Sequence, residues 1–211
     1  MIVQFDQHNF HALCQHLTVM DNSLAAITAT YGYPPMWTRP NTFSTLVLTI
    51  LEQQVSLAAA FAAYKKLNLL LPQITPEGIL TLDDEALRAC YFSRQKISYV
   101  KGLASAILEG KLNLQALEQE EDEAIKEKLT RFKGIGDWTV DIYLLHALQR
   151  ADVFPTGDLA LVNAIRMIKE DKSIDKQSIL AMAEPWRPYR SIATMLFWHY
   201  YIKKKNIKLL H

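Results

Sequence analysis

The sequence predicts an all-α fold, on three observations. Apolar residues recur at spacings of three and four along most of the chain. No period-2 run of useful length occurs. Residues able to cap a helix stand where the apolar stripes begin. With 211 residues, 50% of them apolar, the chain can bury a sizeable core as one domain or as two small lobes.

Each element can be justified in order. Leu13, Leu17 and Met20, then Leu24, Ile27 and Tyr31, mark one or two helices with Asp21 as a candidate cap between them. Gly32-Tyr33-Pro34-Pro35 stops them. Thr42 can cap a helix whose buried face is Phe43, Leu46, Val47, Ile50 and Leu51; Gln53-Gln54 breaks that run before Ser56 and an Ala-rich helix reaching Leu71. Residues 75 to 90 hold a further helix or two, with Thr81 or Asp83 as cap. Ser93 caps a helix carrying Ile97, Val100, Leu103, Ala104 and Ile107, and Gly110 ends it. Arg94 and Lys96 in its first turn read as a solvated helix start, with contact to phosphate as the alternative. Ile125, Leu129 and Phe132 lead into Lys133-Gly134-Ile135-Gly136; Asp137 then caps a helix with Val140, Tyr143, Leu144 and Ala147 inward. Leu159 to Ile168 is helical, and Pro185 to Tyr201 is the last main helix.

Composition excludes several classes. The net charge of +1 gives no support to nucleic-acid binding by itself, although residues 187 to 211 carry Arg187, Arg190, Lys203, Lys204, Lys205 and Lys208 and no acid. Residues 118 to 127 are acidic and read as a solvated helix start and face. Cys14 and Cys90 lie far apart in apolar-patterned segments, as reduced core residues do; neither a disulfide framework nor a zinc site is indicated. MIVQFDQHNF lacks a signal-peptide pattern and no apolar run is long enough to span a membrane, so a cytoplasmic location is expected by default.

The stretch with chemical content is Leu129 to Asp158. Two of the seven glycines flank one isoleucine in a turn that feeds directly into a helix. Such a turn presents bare backbone N–H groups at the positive end of a helix dipole, which makes an anion site, and phosphate is the usual anion. The plainer reading is an αα-corner with a glycine C-cap, and local pattern alone does not separate the two. Beyond the turn, the helix from Trp138 to about Leu148 runs roughly 16 Å, and the loop from Gln149 to Gly157 is long enough to return that distance. Asp158 can therefore come back beside the hairpin, or serve simply as N-cap of the Leu159 helix.

Here LTRFKGIGDWTVDI resembles the helix-hairpin-helix of DNA glycosylases, and FPTGDLAL resembles their Gly/Pro-rich loop with its catalytic aspartate. FSTLVLTILEQQVS upstream and WRPYRSIATMLFW downstream extend the resemblance over about residues 18 to 200, nearest to the 3-methyladenine DNA glycosylase II type. The resemblance implies a two-lobed helical fold: one lobe from about 1–42 plus 152–211, the other from 43–151 with the hairpin at 125–148, and a cleft between them for the hairpin, Asp158 and the tryptophans. It also implies the minimal form, without the N-terminal β-domain of the best-known relative.

It further implies excision of alkylated purines, chiefly 3-methyladenine and 7-methylguanine, from double-stranded DNA by a monomeric enzyme, with Asp158 catalytic. Ordinary glycoside hydrolysis needs two carboxyl groups, because the leaving group must be protonated. An alkylated purine is already cationic and leaves as a neutral base, so one carboxylate that stabilises the oxocarbenium-like sugar and orients water suffices. Asp137, Asp141 and Asp152 rank below Asp158. Trp138 stands where bifunctional relatives carry their nucleophilic lysine, so no Schiff base forms there and no β-lyase activity is expected. The four-cysteine cluster ligation of other branches is also missing.

Trp138 and Trp198 match aromatic positions of the family's base pocket; Ile142 stands where the best-known relatives have tyrosine, leaving that wall thinner or supplied by Tyr143 or Trp37. A helical tryptophan otherwise reads as core. The DNA-binding set carried by the resemblance is Gly134, Gly136, Trp138, Lys133, Gln53 and Gln54. Gln53-Gln54 falls at the segment that fills the gap left by a flipped base, where some relatives have leucine; a helix-end glutamine pair can also simply cap carbonyls. No cofactor is required, and the hairpin resembles a Na or K site built from the backbone carbonyls of Thr130, Phe132 and Ile135. The rival reading is a non-catalytic helix-hairpin-helix DNA-binding or damage-sensing module. A third, lyase action on oxidised bases, requires the lysine absent at position 138.

Overall fold

The computed structural model describes residues 3–208, and among these the chain is all-α, with one isolated bridge, Gln4 to Arg150. It forms two compact units. One runs to Thr38 and resumes over Leu144–Lys208; the other is Arg39–Tyr143.

In the first unit, α1 (Phe10–Met20), α2 (Asn22–Tyr31) and α11 (Leu159–Ile168) pack on α13 (Arg190–Lys204), with α12 (Lys176–Ala183) between the last two in sequence. Neighbours on several sides explain why every residue of α13 from Ser191 to His199 is buried, a helix wrapped all round rather than on one stripe. Asp21 closes α1 and opens α2: its Oδ1 accepts from the Ser23 and Leu24 amides at 2.7 and 3.1 Å, while Oδ2 accepts from the buried Trp186 indole at 3.1 Å. Asp21→Ala removes both a cap and the partner of a buried N–H. A loss of about 1–3 kcal/mol is expected, read as a lower melting temperature at roughly 2–4 °C per kcal/mol. Asp21→Asn keeps Oδ1 and should recover part of it.

The second unit holds α3 (Phe43–Glu52), α4 (Leu57–Leu70), α5 (Pro76–Thr81), α6 (Asp84–Ala89), α7 (Arg94–Leu108), α8 (Leu114–Leu117), α9 (Asp122–Leu129) and the start of α10 (Asp137–His146). α7 is its centre, packed on α3, α5 and α6. Thr42, Ser56, Asp83 and Ser93 cap α3, α4, α6 and α7 through side-chain oxygens, as their positions predict. Thr75, followed by Pro76 at the first helical position, caps α5; Thr81 instead ends that helix.

Four expectations are corrected. Asp137 is the first residue of α10 rather than its cap, since the Gly136 carbonyl takes the first helical bond, from Val140 N–H at 3.1 Å. α10 stops at His146, two residues short of Leu148, where the chain turns and Arg150 N–H bonds the Leu144 carbonyl. Pro185 opens only a single 3₁₀ turn, Glu184–Trp186; Arg187 is extended before Pro188, and α13 begins at Arg190. Lys96 is half-buried rather than a freely solvated helix-start cation, and its ammonium donates to the Leu51 and Gln53 carbonyls at 2.7 and 2.9 Å.

Cys14 and Cys90 are buried free thiols, and burial pushes the Cys14 thiol up to about 12, so it behaves as a small apolar side chain. No helix among the described residues is long and apolar enough to cross a membrane.

Candidate functional site

In the second unit, the link between α9 and α10 is a tight hairpin. Phe132 N–H bonds the Leu129 carbonyl and Ile135 N–H the Phe132 carbonyl, both at 3.1 Å. Ile135 is buried and pins the tip, while Lys133 and Gly136 on either side are exposed. Gly134 has φ +89, and a methyl group there would lie 2.1 Å from Cγ of Tyr99 on α7. The backbone can therefore approach that ring only as glycine. Gly136 has open space where a Cβ would be, so internal packing does not require glycine there. The first-turn amides of any helix lack intrahelical partners, and those of α10 begin here. Trp138 is half-buried in that turn; Ile142, one turn on, is buried. Tyr143 is fully buried with its hydroxyl donating to Asn41 Oδ1 at 2.5 Å, which removes it as an open pocket wall.

The α3–α4 turn is tied to this hairpin. Gln53 Nε2 donates to the Gly134 carbonyl at 2.8 Å and to the Thr139 hydroxyl at 2.9 Å. The Gln53 amide nitrogen is thus engaged inside the unit. Gln54 is the outward residue: it is exposed and held at φ 57, a left-handed backbone unusual for a side chain other than glycine. Val55 and Leu57 beside it are exposed apolar residues.

In the first unit, Asp158 caps α11, Oδ1 accepting from Leu161 N–H at 2.8 Å. The same oxygen accepts from the Trp198 indole at 2.9 Å. Trp198 in turn stacks on His146, ring centroids 5.4 Å apart and planes at 10°, and the His146 Nδ1–H donates to the Trp37 carbonyl at 2.8 Å. Trp37 is half-buried, and its ring lies 6.3 Å from that of His199. The half-buried Asp158 carboxylate is therefore oriented by an ordered file of rings. Trp198, expected as a pocket wall, is buried and holds the carboxylate.

The loop that delivers Asp158 is clamped on both sides. Arg190 Nε and Nη2 reach Asp152 at 2.7 and 3.1 Å, and Arg187 Nη1 reaches it at 2.5 Å. The Ser191 hydroxyl donates to the Arg150 carbonyl at 2.6 Å and accepts Val153 N–H at 2.9 Å. Asp152 is consequently engaged by two guanidiniums, which sets it aside as a catalytic carboxylate. Asp137 pairs with Lys126 at 3.4 Å on the exposed face of the hairpin.

Sequence reasoning missed three residues here: His146 and Tyr99 carry no local signal, and Lys96 reads as a solvated helix-start cation, yet each has a backbone or ring partner far away in sequence. Among the described residues, no group of three or more His, Cys, Asp or Glu side chains is placed to hold a metal ion.

Several known proteins resemble this chain in sequence and fold. The family described as "HhH-GPD superfamily base excision DNA repair protein" matches residues 47–188. A putative DNA-3-methyladenine glycosylase of Bacillus subtilis is 32% identical over 93% of this chain and 71% of its own. DNA-3-methyladenine glycosylase 1 of Schizosaccharomyces pombe is 30% identical over 87% of this chain and 84% of its own. The fission yeast 3-methyladenine DNA glycosylase, solved with abasic DNA, superposes at TM-score 0.84 with 29% identity, over 95% of this chain and 100% of the other. A DNA-3-methyladenine glycosidase of Bacillus halodurans superposes at 0.74, also at 29% identity, over 98% and 95%.

Proposed function

The chain belongs to the HhH-GPD superfamily of base excision DNA repair proteins, and we propose that it is a monofunctional DNA glycosylase releasing 3-methyladenine and 7-methylguanine from double-stranded DNA. The observation that carries the reading is Asp158: a carboxylate held by an indole and a helix amide at the end of a clamped loop, in a chain similar over most of its length to 3-methyladenine glycosylases.

The chemistry follows from what each group can do. The hairpin at Gly134 to Gly136 takes a DNA phosphate on its backbone amides, with Lys133 adding charge. Gln54 enters the duplex as the base leaves it. Trp138 offers a π-face to a cationic purine, with Ile142 behind it, and Trp37 is a further candidate wall. Asp158 stabilises the positive charge that develops on the sugar and orients the attacking water. The cationic base needs no acid to leave, so one carboxylate is enough.

The carbonyls of Thr130, Phe132 and Ile135 suit a hard monovalent cation. Thr130 is the C-cap of α9, where the helix dipole is negative, and Phe132 and Ile135 follow it in the hairpin turn. The Phe132 oxygen gives one lone pair to Ile135 N–H and retains a second. Sodium or potassium held there would add positive charge beside the phosphate-facing amides.

Incubation with methylated duplex DNA should liberate free 3-methyladenine and leave abasic but unbroken strands. Borohydride should capture no protein–DNA adduct, because Trp138 supplies no amine. Strand cleavage with a trapped adduct would overturn the monofunctional assignment. Binding without release of any base would favour the damage-sensing alternative.

A further inference from the structure

We propose that Lys96 is a positioning residue for base extrusion, holding the Gln54 turn and the hairpin in register from α7; this rests on the excision reading above. The ammonium of Lys96 donates to the Leu51 and Gln53 carbonyls, the negative end of α3, at 2.7 and 2.9 Å. One helical turn on, the ring of Tyr99 lies against Gly134. Lys96 and Tyr99 share a face of α7 at spacing three. The same helix therefore grips the turn with one side chain and the hairpin with the other. Gln53 closes the circuit: its carbonyl takes the ammonium, and its amide nitrogen reaches the Gly134 carbonyl and Thr139.

The circuit encloses the strained point of the turn. Gln54 sits at φ 57 directly after the residue whose carbonyl Lys96 holds, with an extended Gln53 (ψ 123) before it. Such a backbone persists only when its surroundings over-determine it. A stability-driven choice at position 96 would be an apolar residue, since an ammonium partly withdrawn from water is costly and burial lowers its proton affinity below the usual lysine range. Lysine there does what an apolar side chain cannot, which is to fix two carbonyls at once.

The test compares wild type, Lys96→Met and Lys96→Arg in three readings. These are the single-turnover rate of 3-methyladenine release, the affinity for undamaged duplex, and the fluorescence rise of 2-aminopurine placed beside the lesion. Lys96→Met should cut the release rate on the order of tenfold to a hundredfold and suppress the fluorescence rise. Its affinity for undamaged duplex should stay within about twofold, because phosphate contacts set that affinity. Lys96→Arg, still a donor to two carbonyls, should recover most of both readings. If Lys96→Met does not fold, Lys96→Gln, which can keep at most one of the two carbonyl contacts, should give the same pattern in weaker form.

Wild-type rate and fluorescence in Lys96→Met would overturn the proposal. So would an arginine variant no better than methionine. A wild type that extrudes the base without releasing it would sink the excision reading alone, since extrusion is read separately.

Discussion

Asp158→Asn is expected to lower the single-turnover rate of 3-methyladenine release by about 10²–10³ while leaving the fold and DNA affinity close to wild type. The substitution is nearly isosteric. Asparagine is a good N-cap and its Oδ1 can still accept from Leu161 N–H and from the Trp198 indole. What disappears is the negative charge, which is the property the developing sugar cation requires. Melting temperature and binding to undamaged duplex should therefore hold while excision falls. Equal loss of stability and rate would make Asp158 only a helix cap.

Gly134→Ala carries the second largest expected effect. At φ +89 an alanine costs about 1–2 kcal/mol from its backbone alone, and its methyl would strike the Tyr99 ring at 2.1 Å. Either the ring or the hairpin must move, and the hairpin carries the Gly134 carbonyl that Gln53 holds. Lower melting temperature and at least tenfold weaker duplex binding are expected together, about 1.4 kcal/mol in affinity. Adding Tyr99→Ala should restore part of the loss by removing the clash, leaving the backbone strain. Gly136→Ala meets nothing within the chain, so it should spare stability and weaken only DNA binding. Equal stability losses in the two alanine variants would show that the Tyr99 contact does not shape the hairpin.

The parts of this molecule legible from the sequence are those whose cause is local. Thr42, Ser56 and Ser93 cap helices because each offers an oxygen to an amide three residues on, and that relation is written in the spacing. The hairpin glycines announce a turn for the same reason. Between Thr81 and Asp83 the spacing left the cap open and the chain uses Asp83, whereas Asp137 is the first helical residue because the Gly136 carbonyl already takes the first helical bond. α12, with its short and weakly patterned stripe, went unseen, and α13 started late because Pro188 reset the chain.

Long-range roles were the hidden ones. Lys96 looked like any first-turn cation because its partners are carbonyls 45 and 43 residues away, and carbonyls have no signature in a sequence. The stacking of Trp198 on His146, and the turn of its indole toward Asp158, were hidden for the same reason, since each joins separate segments. Gln53 and Gln54 read as an equivalent pair, yet one bonds inward and the other is exposed on a left-handed backbone. Only the path of the chain separates them.

The central claim, that this chain hydrolyses the glycosidic bond of a methylated purine, is tested most directly by release of labelled 3-methyladenine from methylated duplex under enzyme excess. Wild type should liberate the free base in one exponential to completion, with strands left abasic and intact. Duplex that is bound by wild type yet retains all of its methylated bases would contradict it.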